Sequence, residues 1–338
     1  MTPWWRPDIH ADRKPFLAAR GRARTALRGH FEARGFTEVE CGALQVSPGN
    51  EAHLHAFATV RQREGGAEDR LYLHTSPEFA AKKLLAAGET RIFDFARVYR
   101  NAEAGPLHAP EFTMLEWYRA GEAWDVVMQD AADLARAAQA VGGTGKLAWR
   151  GLACDAEAPA ERLTLVEAFA RYAGIDLAPV LGDRDGLAAA VRSRGMRVGD
   201  DDTWSDLFSR VLVEKIEHRL GQGRLTMLCE YPASEAALAR PLAHDPRFAE
   251  RFEMYACGVE LANGFGELTD ADEQRRRFEV EMDEKERVHG ERYPIDEDFL
   301  EALRIMPAAS GVALGFDRLV MLASGARHIR DVVWTPLS

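Results

Sequence analysis

Residues 98–119, VYRNAEAGPLHAPEFTMLEWYR, gather a cation suited to phosphate, an aromatic ring and a carboxylate in one stretch. Arg100 closes an alternating run over 92–99, Gly105, Pro106 and Pro110 break the chain, and a second alternating run covers 112–118. This pattern predicts a strand, a loop and a strand. Side chains two apart on a strand share a face, so Phe112, Glu116 and Tyr118 point the same way. Charge, ring and carboxylate would then converge on one concave surface, as in a nucleotide site. An ordinary antiparallel hairpin with a solvated arginine carries the same pattern, so the reading needs support from elsewhere in the chain.

Three other stretches offer it. Glu253 and Glu260 lie in the alternating run 251–268, and buried carboxylates are costly unless a cation or donor meets them, so something positive is expected there. The segment 310–322, SGVALGFDRLVML, reads as a small-residue strand turning into a helix at Gly315, beside Asp317 and Arg318. Glycine there lets a ligand approach the backbone. Thr75-Ser76-Pro77-Glu78 is a helix start in which Glu78 serves the helix dipole or a pocket.

The elements that must position these residues follow from periodicity. Residues 1–15 are Pro- and Trp-rich without a period, and Trp4 and Trp5 are expected to pack this arm onto the body. Helical spacing starts at Phe16 and stops at Gly35, with a strand over 36–40. A candidate strand at 57–61, a buried strand at 71–74 and a helix to about Ala87 follow. An Ala-rich amphipathic helix spans 123–140, and 141–161 reads as connection. Helical patterns over 163–172, 184–194 and 204–220 predict a helical insertion at about 163–225. A short strand at 226–230 and a charged helix over 269–290, with Glu273 paired to Arg277, complete the pattern.

Bulk properties narrow the class. The 338 residues are 46% hydrophobic and 29% charged, which is globular material. A net charge of -11 argues against non-specific coating of nucleic acid, which needs a basic footprint. Cys41, Cys154, Cys229 and Cys257 have no metal or redox spacing and read as reduced core thiols of a cytosolic protein. No signal-length or membrane-length apolar run occurs, so a cytoplasmic protein is expected.

Three of these segments resemble the signature motifs of class II aminoacyl-tRNA synthetases of the lysyl subgroup: 16–40 motif 1, 98–119 motif 2 and GVALGFDR motif 3. TSPE at 75–78 and ELANGFGE at 260–267 resemble the amino-acid and metal segments, so the likeness spans about 16–325. It implies an α+β fold, an antiparallel sheet flanked by helices, in a single catalytic domain over 1–338. An anticodon-binding OB-fold needs on the order of 100 residues, and none is expected before residue 16. The chain therefore resembles the stand-alone family that ligates lysine or (R)-β-lysine onto a lysine of elongation factor P. Ala313, where lysyl-tRNA synthetases have Gly, supports that branch.

The resemblance assigns Arg100 and Arg318 catalytic roles. ATP would be held by these two with Asn101, Glu103, His108, Phe112, Glu260, Leu261 and Gly315, and Mg²⁺ by Glu253 and Glu260. Lysine or (R)-β-lysine would meet Ser76, Pro77, Glu78, Glu116, Tyr118, Asn263, Phe265, Glu267 and Ala313. It implies a homodimer, a protein acceptor, and neither tRNA nor a membrane as partner. Departures from the pattern are Ala102 at the motif 2 Glu, with Glu103 one residue later, Ala109 at an Asn, and Cys41-Gly42 where motif 1 has Pro. The implied reaction makes an aminoacyl-adenylate and pyrophosphate, then passes the acyl group to a lysine ε-amine. Rival readings are a related enzyme with another acceptor, such as tRNA or ammonia, and an inactive binding paralogue.

Overall fold

The computed structural model describes residues 3–337; Met1, Thr2 and Ser338, at the ends of the expected 1–338 domain, lie outside the described residues. The chain opens with α1 (Pro7–Glu32), then β1 (Thr37–Glu38), β2 (Leu44–Gln45), β3 (Phe57–Gln62), β4 (Glu68–Leu73) and α2 (Glu78–Ala86). The hairpin β5 (Arg91–Tyr99) and β6 (Glu111–Ala120) leads to α3 (Trp124–Gly142). Three short strands follow, β7 (Leu147–Trp149), β8 (Leu152–Asp155) and β9 (Glu161–Thr164), then α4 (Leu165–Ala168), α5 (Arg184–Ser193) and α6 (Trp204–Val211). The last third runs β10 (Gly223–Arg224), β11 (Thr226–Pro232), β12 (Phe248–Ala256), β13 (Val259–Gly266), α7 (Ala271–His289), α8 (Glu297–Leu303), β14 (Ala309–Gly315), α9 (Phe316–Ser324) and α10 (Ile329–Val332).

The fold is α+β. Eight strands form one sheet in the order β1-β5-β6-β14-β13-β12-β11-β9. Its interior pairs are antiparallel, and only the edge pairs β1 with β5 and β9 with β11 run parallel. Strand alternation divides its two faces. Odd residues of β6, Leu115 and Trp117, are fully buried in a core with Leu27 and Phe31 of α1, Leu134 of α3 and Leu319 of α9. Even residues of β6, from Phe112 to Tyr118, look the other way, toward the site. Among the described residues, no helix is long and apolar enough to cross a membrane.

Three local expectations are corrected. The first helix begins at Pro7 rather than at Phe16: Pro7 takes the N-terminal position that suits proline, and the period before Phe16 is masked because a buried contact is made by Arg13. That guanidinium donates to the carbonyl of Val333 and to Trp334 O at 3.4 Å. Trp5 does not pack the arm down, being 65% exposed, whereas Trp4 lies under Arg13. Residues 141–161 are not mere connection: β7 and β8 pair with each other, and β9 adds an edge to the main sheet. Strands this short carry too little alternation to read. The alternating run 251–268 forms a hairpin, turned at Cys257 (φ +55°) and Gly258 (φ +72°).

Candidate active site

The site grows out of sheet register. Across the even face of β6, Glu116 lies opposite Ala313, Ala313 opposite Asn263, and Asn263 opposite Glu253. The next row aligns Tyr118, Gly311, Phe265 and Arg251. Directly opposed residues share a face, so four strands far apart in sequence build one floor. A Cβ at Gly311 would run into the Tyr118 ring and come within 2.5 Å of Glu267, so this glycine makes room for both.

Over that floor lies a cavity of about 230 Å³. Arg100, Glu103, His108 and Phe112 enter from the β5–β6 hairpin, and Ser76, Pro77 and Glu78 from the start of α2. Glu260, Leu261, Asn263 and Phe265 come from β13, and Ala313, Gly315 and Arg318 from β14 and α9. Five other sequence-predicted positions do not line it. Asn101 is exposed and caps the Ala102 N–H at 2.9 Å, while Glu116, Tyr118, Glu253 and Glu267 are buried behind the wall.

The cationic end is built on Arg100. Its Nε donates to Thr75 O at 3.2 Å and its guanidinium sits 5.4 Å from the Phe112 ring centre. No carboxylate among the described residues forms an ion pair with it, which leaves its remaining donors for an anion. Arg318 donates to Leu107 O at 3.3 Å and to Glu260 O at 3.1 Å. It also meets His108 Nε2 at 2.7 Å, where burial and then the Arg318 charge lower the histidine pKa. His108 is thereby held neutral as an acceptor. Ala102 adopts φ +62°, and this left-handed kink turns Glu103 into the cavity, 3.6 Å from His108. A Cβ on Gly315 would meet nothing nearer than Arg318 at 3.5 Å, so it would enter open cavity.

The acidic end is layered. Ser76 Oγ donates to Glu116 at 2.6 Å and the Tyr118 hydroxyl donates to its other oxygen at 2.7 Å. Burial, and then repulsion from Glu78, push Glu116 up to about 8. Beneath Glu78 is Lys82, fully buried, 2.5 Å from Glu78 and 2.6 Å from the equally buried Glu267. Burial alone would lower the Lys82 pKa, but Glu267 and Glu78 outweigh it and keep the ammonium charged. Glu267 is pushed up to about 7 by burial against the pull of Lys82. Lys82 was not foreseen from the sequence, although its spacing of four from Glu78 on a helix was a readable signal.

Buried Glu253 has the positive neighbour that burial demands, and Glu260, its side chain 40% exposed at the cavity wall, has one as well. Glu253 accepts from Arg251 and from the Tyr255 hydroxyl, each at 2.6 Å, and Glu260 lies 3.6 Å from Arg318. Burial raises Glu260, and repulsion from Glu253 adds to it. Glu217, also unforeseen, is pushed up to about 7 by burial and by the same two carboxylates. No group of three or more metal-type ligands at binding distance occurs among the described residues. Glu260 lines the cavity and fits Mg²⁺, which takes one or two carboxylates and completes its shell with water and phosphate, whereas Glu253 would have to turn from Arg251 or Tyr255 to join it.

An antiparallel floor under a cavity that holds two arginines, with Glu78 and the buried Glu116 on its α2 side, defines the catalytic core of a synthetase-type enzyme. The family model "tRNA synthetases class II (D, K and N)" matches residues 9–338, and the chain belongs to that family. Within it, the chain is similar to proteins named "Elongation factor P--(R)-beta-lysine ligase". It is 39% identical to that of Haemophilus influenzae (strain PittGG) over 331 residues, 97% of this chain and 96% of the relative. The Salmonella arizonae protein is 39% identical over 336 residues, 98% and 97% of the two chains. That of Proteus mirabilis (strain HI4320) is 39% identical over 325 residues, 95% and 94%.

Proposed function

We propose that this protein activates (R)-β-lysine, or lysine, with ATP as an aminoacyl-adenylate and transfers it to the ε-amine of a lysine on elongation factor P. The observation that carries this reading is the polarity of one cavity. Arg100, with no carboxylate partner among the described residues, and Arg318 stand at one end, and Glu78 backed by Glu116 at the other. A nucleoside triphosphate and a diamino acid have the complementary charges, with the reacting carboxylate and α-phosphate between them.

In the first step Arg100 stabilises the charge that builds on the α-phosphate as the substrate carboxylate attacks and pyrophosphate departs. Phe112 stacks on adenine, while His108 and Glu103 close the loop over the nucleotide, and Asn101 shapes that loop. Leu261 and Gly315 give the base its flat contact. Glu253 and Glu260 hold Mg²⁺, which supplies charge neutralisation on the phosphates. Ser76, Pro77, Glu78, Asn263, Phe265 and Ala313 shape the amino-acid subsite, and Glu116, Tyr118 and Glu267 fix those groups from behind. Positioning and preorganised charge provide the acceleration, without a side-chain nucleophile.

This reading includes a single catalytic domain with a helical insertion at about 163–225, a homodimer, a cytoplasmic location and no tRNA partner. Full-length similarity to ligases of that name supports it. The test is pyrophosphate exchange with Mg²⁺ and each diamino acid, followed by mass spectrometry of elongation factor P. Exchange with neither amino acid refutes the activation step, and label that goes to tRNA alone refutes the acceptor. Arg100→Ala is expected to remove exchange while leaving the circular dichroism spectrum unchanged.

A further inference from the structure

The reading above gives Glu51 no role in adenylate formation. Glu51 stands where the 230 Å³ cavity meets a second, wider groove of about 1140 Å³ that opens to solvent, and it lines both. The backbone that follows it is clamped by two side chains of α7. The Ala52 N–H donates to Glu281 at 2.9 Å, and the buried Lys285 donates to Ala52 O at 3.2 Å and Leu54 O at 2.7 Å. The Glu51 side chain itself has no hydrogen bond or ion pair among the described residues. A rigid loop thus presents an unengaged carboxylate at the junction.

The groups that face Glu51 set its chemistry. Glu51 is exposed where the two spaces meet, and its carboxylate feels Arg100 and Arg251, which favour the charged form, and Glu78 and Glu281, which oppose it. Around the junction, Lys285 is spent on backbone carbonyls and His53 lines only the groove. An unengaged carboxylate that borders the same cavity as the arginine gripping the α-phosphate stands on the wall past which an amine arriving from the groove must reach the acyl carbon.

We propose that Glu51 is the general base of the transfer step, taking a proton from the acceptor's ε-ammonium as it arrives through the groove. This rests on the acceptor reading above. An alkylammonium has a pKa near 10.4 and is almost wholly protonated at neutral pH, so it has no lone pair to attack with until a proton leaves. Glu51 takes that proton. The nitrogen lone pair then forms the C–N bond to the acyl carbon, and the C–O bond to AMP breaks with its electron pair on the phosphate oxygen. The second proton, made acidic by the new acyl bond, passes to the departing phosphate. The amide, AMP and the protonated Glu51, which returns its proton to water, balance the step.

The experiment preloads the enzyme with ATP, Mg²⁺ and amino acid, then follows single-turnover transfer to three acceptors between about pH 6 and 9. The acceptors are elongation factor P, n-butylamine, which is an ammonium, and hydroxylamine, which is largely neutral above pH 7. For Glu51→Gln, the ratio of butylamine transfer to hydroxylamine trapping is expected to fall about 100-fold, the lower range of general-base effects. The remaining transfer should rise tenfold per pH unit, because only the neutral amine reacts, while wild type levels off. Glu51→Asp should regain part of the ratio. A ratio within threefold of wild type for Glu51→Gln and Glu51→Ala overturns the proposal. So does a loss that appears only as a raised KM for the amino acid in pyrophosphate exchange. Wild-type transfer to butylamine but not to elongation factor P defeats the acceptor reading instead and leaves the base test to the butylamine arm.

Discussion

Replacing Lys82 by Met leaves Glu267 fully buried without its cation, and the cost can be worked from the site. Lys82 is 2.6 Å from Glu267 and 2.5 Å from Glu78, with its side chain wholly inaccessible. Removing one partner of a buried ion pair costs about 3–5 kcal/mol, a large part of the roughly 5–15 kcal/mol that holds a domain folded. The loss must depend on pH. With Lys82 present, Glu267 has its pKa raised from 4.5 to about 7, so stability falls as pH rises toward 7 and is then level. Without Lys82 the carboxyl is raised further, and the folded variant keeps its proton above pH 7 while the unfolded chain has lost it. Each pH unit above 7 then costs about 1.4 kcal/mol. Between pH 7 and about 8.5 the deficit of Lys82→Met should therefore widen by about 2 kcal/mol. Urea unfolding at the two pH values measures it. The double variant Lys82→Met with Glu267→Gln, which buries neither charge, should recover most of the loss and all of the extra slope. A single variant within about 1 kcal/mol of wild type at both pH values would refute the buried-triad argument.

Two further substitutions test local geometry. Gly311→Ala places a methyl group against the Tyr118 ring and 2.5 Å from Glu267. It should cost about 1–3 kcal/mol by overpacking in urea unfolding and raise KM for the amino acid in pyrophosphate exchange more than it lowers kcat. Ala102→Gly relieves a left-handed alanine at φ +62°. The relief of roughly 1–2 kcal/mol, less about 0.5–1 for glycine's larger unfolded entropy, should give a net gain of up to about 1.5 kcal/mol with KM for ATP little changed.

The hairpin over 91–120 was legible because both strands alternate over their whole length and proline and glycine mark the loop between them. The helix start at 75–78 and the turn from strand to helix at Gly315 were legible for the same kind of local reason. The expected positive partners of Glu253 and Glu260 are Arg251 and Arg318, an inference from burial cost alone. The rest was hidden by physics that is not local. Arg13 and Arg20 occupy buried positions of α1, Arg20 in a buried pair with Asp317, so cations interrupt the apolar stripe that marks a helix. The site's inner wall depends on register between strands, which no single segment contains.

That register also explains why lining residues and supporting residues could not be told apart in the sequence. Glu116, Ala313, Asn263 and Glu253 stand side by side across four strands, yet only Ala313 and Asn263 reach the cavity. Glu116 is 1% exposed because Ser76 and Tyr118 donate to it from above and beside, and Glu253 is 7% exposed because Arg251 and Tyr255 do the same. A floor made in this way separates two tasks. The deep carboxylates, each fixed by two donors, set the charge felt by a ligand, and the shallow residues set the shape it meets. Ala313 lies between Glu116 and Asn263 and carries no polar group, so a change of size there alters the depth of the floor without disturbing either hydrogen-bonded neighbour.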